Sequence, residues 1–344
     1  MKYQKILVLQ TAFLGDVILT TPTVKAIKQV FHYSQVDVLT IPQAAIVFKY
    51  NPYVNLTLIF DKKKVRIKIV NFWKIVKQLR KTKYDLAFSI QSSMTSSLVM
   101  FLGNIPNRVG FSRQNQKLLT EPVVHKPGLH IRKRYLYLLK PFINKFDENS
   151  FDTQTEIFWS DNENQKTQEI YSSIFKKDFS ILGFAPGSVW QTKRWPKEYF
   201  IALLEMLSKE KIIILFFGGR EEQPLCQEII TKSHSNAVNL AGSLSVLESA
   251  ALIKKIDLMI SNDSAPLHIA NAVQTDVVAI FGPTVKRFGC YPFRENDTLL
   301  EVDLYCRPCS KHGGLRCPEK HFRCMRDINP EMLYETIISK IGNK

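Results

Sequence analysis

The sequence predicts an α/β protein of two Rossmann-like domains, each a parallel sheet with helices on both faces, and three observations carry that expectation. Short β-branched runs alternate with longer stretches of helical periodicity. The alternation comes as two series, separated by a polar stretch around residues 150–178. The chain has 344 residues, more than one ordinary core organises and comfortable for two.

In the first series Lys5–Gln10 reads as a strand, Pro22–Phe31 as a helix with proline in its first turn, and Val36–Ile41 and Leu56–Phe60 as strands. Residues 66–80 carry Ile69, Phe72, Trp73, Val76 and Leu79 at helical spacing. Asp85–Ile90 and the short Arg108–Phe111 are strands, and Tyr135–Phe142 is helical. In the second series the strands are Ser180–Ala185, Lys211–Phe217, Val238–Leu240, Asp257–Ser261 and Asp276–Phe281. Helices are expected over Lys197–Ser208, Glu221–Thr231 and Val246–Lys254, from Ala265, and over Pro330–Ile341. The predicted division is 1–165, 175–330 and a terminal helix over 330–344. Ligands of such sheets bind at the carboxyl ends of the strands, so a cleft between two facing domains is the expected site.

The apolar fraction of 45% and charged fraction of 23% are those of a globular chain. The net charge of +16 is unevenly spread. Residues 1–160 hold 24 Lys and Arg against 9 Asp and Glu, whereas residues 161–344 hold 23 against 22. One domain is therefore expected to meet an anionic partner: nucleic acid, an anionic membrane surface or a phosphorylated acceptor. A generally basic proteome would explain the total but not the asymmetry. Lys2 and Lys5 before Ile6–Leu9 imitate a signal peptide, but Gln10 and Asp16 interrupt the run. No apolar run approaches the roughly 20 residues that span a bilayer. The expected location is cytoplasmic, at most lying on a membrane surface.

Five segments carry candidate chemistry. Thr11–Asp16 follows the first strand, where Gly15 allows close approach and Asp16 is either a general base or a simple helix cap. Gly183–Ser188 with Lys193-Arg194-Trp195-Pro196 offers turn N–H groups and a cation, which suit a phosphate; the alternative is an ordinary loop with a surface lysine. Ser261–His268 ends a strand and opens a helix, so Ser264 and the first-turn N–H groups can face a pyrophosphate with His268 about one turn on. The alternative there is capping, with His268 packed in the core. Cys306, Cys309, Cys317 and Cys324 could hold structural zinc, but their spacing matches no standard finger, and reduced thiols used in packing are the favoured reading. Finally, Lys62, Lys63, Lys64 and Arg66, with Arg132 and Arg134, are basic runs in the positively charged half.

Taken together these segments resemble glycosyltransferase family 9, the heptosyltransferases of lipopolysaccharide. The resemblance rests on Phe13-Leu14-Gly15-Asp16-Val17 with Thr21-Pro22, Pro186-Gly187-Ser188 with Lys193–Pro196, Gly218-Gly219, and Asn262–His268. The tail Cys306–Cys309, Cys317-Pro318, His321 and Cys324-Met325 is similar to that of the heptosyltransferase II branch. It implies a GT-B fold with an acceptor-binding first domain and a second domain that binds a nucleotide-sugar, ADP-heptose. It implies inverting transfer to the anionic, lipid-linked inner core at the inner-membrane surface, with no required cofactor or metal and no nucleic acid. Asp16 matches the base and Lys193 the lysine beside the phosphates. Ser264, Ala265 and Leu267 match the diphosphate cradle, Asp263 the contact to the sugar hydroxyls, and Gly187, Ser188, Glu222 and His268 further donor contacts. Ala265 stands where the family often has glycine, and Pro266 has no N–H to donate. The rival readings are a GT-B enzyme with another donor and a basic nucleic-acid-binding protein, although no finger or interleaved aromatic-basic face supports the latter.

Overall fold

Each half of the chain winds outward from a central strand, first to one side and then to the other. In the structure, a computed structural model, residues 3–61, 68–112 and 116–342 are described; Lys62, Lys63, Lys64 and Arg66 lie outside them. The first sheet contains β1 (Lys5–Leu9), β2 (Gln35–Thr40), β3 (Leu56–Ile59), β4 (Leu86–Ser89), β5 (Asn107–Phe111) and β6 (Glu121–Val123), all parallel, in the order β3-β2-β1-β4-β5-β6. The second contains β7 (Ser180–Ala185), β8 (Ile212–Phe216), β9 (Val238–Asn239), β10 (Leu258–Asn262), β11 (Asp276–Ile280) and β12 (Thr298–Leu300), also parallel, in the order β12-β11-β10-β7-β8-β9. Both orders are the doubly wound 3-2-1-4-5-6 arrangement, so the expected α/β class with two Rossmann-like units is what the structure has.

The central strands are legible because they are covered on both faces and must be apolar throughout. Ile6, Leu7, Val8 and Leu9 of β1 are buried, as are Leu258, Met259 and Ile260 of β10. In each sheet the winding reverses between the two central strands: β1 and β4 in the first, β7 and β10 in the second. Loops leaving the carboxyl ends of those pairs diverge, and the crevice that opens there is where such sheets hold ligands.

The chain divides into two units, Met1–Phe158 and Trp159–Lys344. The division falls inside the stretch expected as linker, but most of the remainder of that stretch is helix. Asp161–Ile174 is closed by a capping box in which Ser160 and Glu163 exchange bonds. It buries only Thr167 and is fastened by the Lys166–Glu248 ion pair at 2.7 Å, so it shows little apolar periodicity in sequence. The terminal helix Pro330–Gly342 belongs to the second unit, placing Leu333 and Ile337 in the core that holds Phe184, Phe200 and Phe216. Tyr135–Phe142 is a 3₁₀ helix containing Pro141. The three-residue edge strands β6 and β12 are additions to the strands predicted from sequence.

Candidate functional site

The second unit presents a candidate site at the reversal between β7 and β10. Asn262, the last residue of β10, is fully buried and joins the two loops. Its Nδ2 donates to the Pro186 carbonyl at 2.8 Å, and its Oδ1 accepts from the Trp195 backbone N–H at 3.1 Å. One side chain therefore fixes both ends of the loop that carries Gly187, Ser188 and Lys193. Trp195 anchors the far end, donating its indole N–H to the Ile328 carbonyl at 2.8 Å and packing edge-on against Phe200. Ser188 is buried, and its carbonyl accepts from Arg194 Nε.

Lys193 and Asp263 form an ion pair with Nζ and Oδ2 2.6 Å apart and side chains 13% and 9% exposed. Thr284 donates its hydroxyl to the same Asp263 oxygen at 2.6 Å. Thr284 is itself held from behind, because its carbonyl accepts from Arg307 Nη2 at 2.9 Å. The Arg307 side chain is 5% exposed and also bonds the Gly282 and Val302 carbonyls and Glu301. The stem of Lys193 is confined by the tail. Thr192 Oγ1 accepts from Gly314 N–H at 2.7 Å, and the Thr192 N–H donates to the Gly314 carbonyl. Gly313 has φ of +93°, and a Cβ there would lie 2.8 Å from Trp190 Cβ and 3.1 Å from Lys193 Cγ, so only glycine permits this approach.

The helix Ala265–Ala272 starts beside this pair, with Ser264 as its N-cap residue. The Ser264 side chain caps no N–H of the helix; its Oγ lies 3.4 Å from Ser261 Oγ and from the Asn262 carbonyl. Pro266 occupies the second helical position, where an N–H would have no intrahelical partner anyway, so its missing donor costs the helix nothing. The N–H groups of Ser264, Ala265 and Leu267 remain at the positive end of the helix. Glu222 precedes the helix Gln223–Lys232 and accepts from the Gly219 N–H at 2.6 Å. It lies flat against Gly187, where an added Cβ would overlap Glu222 Cγ and Cδ.

His268 is buried, and its Nδ1 has no hydrogen-bond partner among the described residues. Burial pushes its imidazole down to about 4; the Asp263 carboxylate opposes that shift and the Lys193 ammonium adds to it. The ring is therefore neutral at pH 7. The unfolded chain takes up this proton near pH 6.5 and the folded one only near 4. His268 thus contributes stability that is intact above pH 6.5 and lost as the pH falls toward 4, on the order of 3 kcal/mol in all. Urea titrations at stepped pH check this. The His268→Gln protein is expected to lose that part of the acid dependence, and an unchanged profile would contradict it.

In the first unit Asp16 is not a cap. The helix Leu14–Ile18 has Phe13 at its N-cap, and Asp16 is its third residue, half-buried, with its carboxylate in the first turn. The Asp16 main chain is anchored from below: its carbonyl accepts from Thr20 Oγ1 at 2.9 Å and from Gln10 Nε2 at 3.4 Å, and Gln10 also donates to Thr20 Oγ1. This segment comes after β1, at the reversal point of the first sheet. Of the basic runs, Arg134 is buried with Nη2 on the Leu129 carbonyl, and Arg132 Nη1 bonds the carbonyl and hydroxyl of Thr153. Both arginines thus spend donors within their own unit.

The cysteine tail packs only in part against the second unit, with Cys309 exposed and Cys306 and Cys317 half-buried. Cys324 and Met325 are buried in its core, and Met325 fills the space beside Gly282. Cys306 Sγ lies 3.9 Å from His321 Nε2. Burial and the neighbouring thiols push Cys324 up to about 11. Among the described residues no three His, Cys, Asp or Glu side chains are arranged to hold a metal ion. Thr192, Thr284 and Arg307 carry no individual signal in the sequence, and Asn262 shows there only as part of its motif, since each acts through a partner distant in the chain.

Comparison with known proteins bears on this geometry. The family model described as glycosyltransferase family 9 (heptosyltransferase) matches residues 72–320. The lipooligosaccharide heptosyltransferase 2 of Campylobacter jejuni is 30% identical over 97% of this chain and 98% of its own length. A family 9 glycosyltransferase from Veillonella parvula superposes with a TM-score of 0.88 at 21% identity, covering 100% of this chain and 99% of that one. The ADP-heptose LPS heptosyltransferase II of E. coli gives 0.77 at 22% identity, covering 99% of each chain. At these identities the structures establish a shared fold.

Proposed function

The chain belongs to glycosyltransferase family 9, the heptosyltransferases of lipopolysaccharide core biosynthesis, and from that premise we propose that it transfers a heptose from ADP-heptose to the lipopolysaccharide inner core with inversion at the anomeric carbon. The observation that carries this reading is the Lys193–Asp263 pair beside the open helix start at Ser264. A diphosphate needs a cation and fixed N–H donors, and a sugar needs a carboxylate that accepts from its hydroxyls. Lys193 neutralises the leaving diphosphate, together with the N–H groups of Ser264, Ala265 and Leu267. Asp263 gives Oδ2 to Lys193 and Thr284, which leaves Oδ1 to accept from the heptose hydroxyls. Gly187, Ser188 and Glu222 complete the donor contacts, and neutral His268 supports the phosphates as an uncharged group. The protein's own cation and helix start carry the charge of the leaving group, so the reading requires no cofactor; zinc at the cysteine tail would be structural.

Asp16 accepts the proton of the acceptor hydroxyl as that oxygen attacks the anomeric carbon and the ADP oxygen departs. The first unit carries 24 Lys and Arg against 9 Asp and Glu, which suits an acceptor bearing acidic sugars and phosphates. Lys62, Lys63, Lys64, Arg66 and Arg132 are the candidate acceptor contacts, while Arg134 is buried with its guanidinium on the Leu129 carbonyl. We place the reaction at the cytoplasmic face of the inner membrane; no helix among the described residues is long and apolar enough to cross a membrane.

A thermal-shift series with ADP, UDP and GDP tests the donor. A ligand held only by the folded chain stabilises by about 2.7 kcal/mol at a hundred times its Kd, so ADP is expected to raise the Tm by several degrees and UDP and GDP to leave it unchanged. Stabilisation by UDP alone would favour the other reading, a GT-B enzyme with a different donor.

A further inference from the structure

We propose that the exposed face of the helix Lys68–Thr82 in the first unit is a docking surface for an anionic lipid bilayer. This helix buries Ile75, Val76 and Leu79 but leaves Ile69, Val70 and Trp73 exposed at 73%, 63% and 52%. Ile69, Trp73 and Lys77 succeed one another at four-residue spacing, and Val70 and Lys74 form the adjoining row. The helix carries Lys68, Lys74, Lys77, Arg80 and Lys81 and no acidic residue. None of Lys74, Lys77 and Lys81 pairs with an acidic side chain among the described residues. Single exposed apolar residues are ordinary, but three within two turns, flanked by unpaired cations and including a tryptophan, match a helix that lies in a membrane interface.

The position of the patch fits that partner. The helix starts after β3, so its apolar end lies at the carboxyl edge of the first sheet, the same end from which the Asp16 segment leaves β1. Asn71 Nδ2 donates to the Asp61 carbonyl at 3.3 Å and Phe72 meets Phe60, fastening that end of the helix to the end of β3. Phe13, after β1, and Met94, after β4, add two half-exposed apolar side chains at the same edge. A second copy of the chain is disfavoured as occupant, since a self-pairing would oppose two faces of like charge, whereas an anionic leaflet is complementary. The docking surface stands without the heptosyl reading; that reading only explains why the chain would need a lipid surface.

The test uses the full chain with vesicles of phosphatidylcholine alone and of phosphatidylcholine with phosphatidylglycerol. The chain is expected to sediment with the anionic vesicles only, less so at high salt, with a blue shift of tryptophan fluorescence. Ile69→Ser with Trp73→Ser, and separately Lys74→Glu with Lys77→Glu, are each expected to weaken partitioning by about tenfold or more at unchanged Tm. Both variants should keep full turnover on a water-soluble core oligosaccharide and lose it on a vesicle-embedded acceptor. Equal binding to neutral vesicles, variants that partition like the wild type, or a lipid-free dimer dissolved by the Trp73 substitution would overturn the proposal. A chain that docks yet transfers nothing to any acceptor would support the docking surface and count against the reaction alone.

Discussion

Asp16→Asn is expected to reduce heptosyl transfer by about two to four orders of magnitude while leaving ADP-heptose affinity unchanged. Asparagine keeps the shape and the accepting oxygen of aspartate but cannot take a proton at neutral pH. The fold should tolerate the change, because asparagine leaves in place the bonds that Thr20 and Gln10 make to the carbonyl of residue 16. The change removes one negative charge from the first turn of the helix, an effect worth about 0.3–1 kcal/mol. The donor contacts proposed all lie in the second unit, so calorimetric titration with ADP should give the same Kd in both proteins. Released ADP, measured with and without a core acceptor, gives kcat. A variant retaining full kcat would remove Asp16 from the chemistry; one losing donor affinity instead would make it a binding residue.

Much of the fold was legible because parallel sheets covered on both faces demand apolar strands, and runs such as Ile6–Leu9 and Ile212–Phe216 satisfy that demand without interruption. The helix Asp161–Ile174 escaped because its hold is polar, a capping box and an ion pair, where sequence periodicity reports only apolar burial. The site was legible as residue types in loops after strands. Asp263 and Lys193 were visible singly, the first with a helix-capping reading beside it and the second with an ordinary loop reading. Their pairing was not visible, because it depends on Asn262 reaching Pro186 and Trp195, and on Thr192 reaching Gly314. Arg307 was hidden for the same reason: it looks like a residue inside a cysteine motif, yet it works by gripping the carbonyl of the threonine that orients Asp263.

Lys193→Met should be the most damaging change in the second unit, through two separable effects. The first is on folding. Removing the ammonium leaves the Asp263 carboxylate, 9% exposed, with only the Thr284 hydroxyl on Oδ2, and an uncompensated buried charge of this kind costs about 3–5 kcal/mol, less here for the partial exposure. The second is on catalysis: losing a positioned cation opposite the leaving diphosphate is expected to lower kcat by about two to three orders of magnitude. A second substitution separates them. Lys193→Met combined with Asp263→Asn removes both charges, so it should recover most of the lost stability, by urea denaturation, while recovering none of the activity. Lys193→Arg is not expected to rescue turnover either. The lysine places a compact ammonium 2.6 Å from Asp263 Oδ2, whereas a planar guanidinium spreads its charge over a fork and meets a carboxylate in a different geometry. If the double substitution regained turnover along with stability, Lys193 would be a strut for Asp263 and the diphosphate would have to find its cation elsewhere.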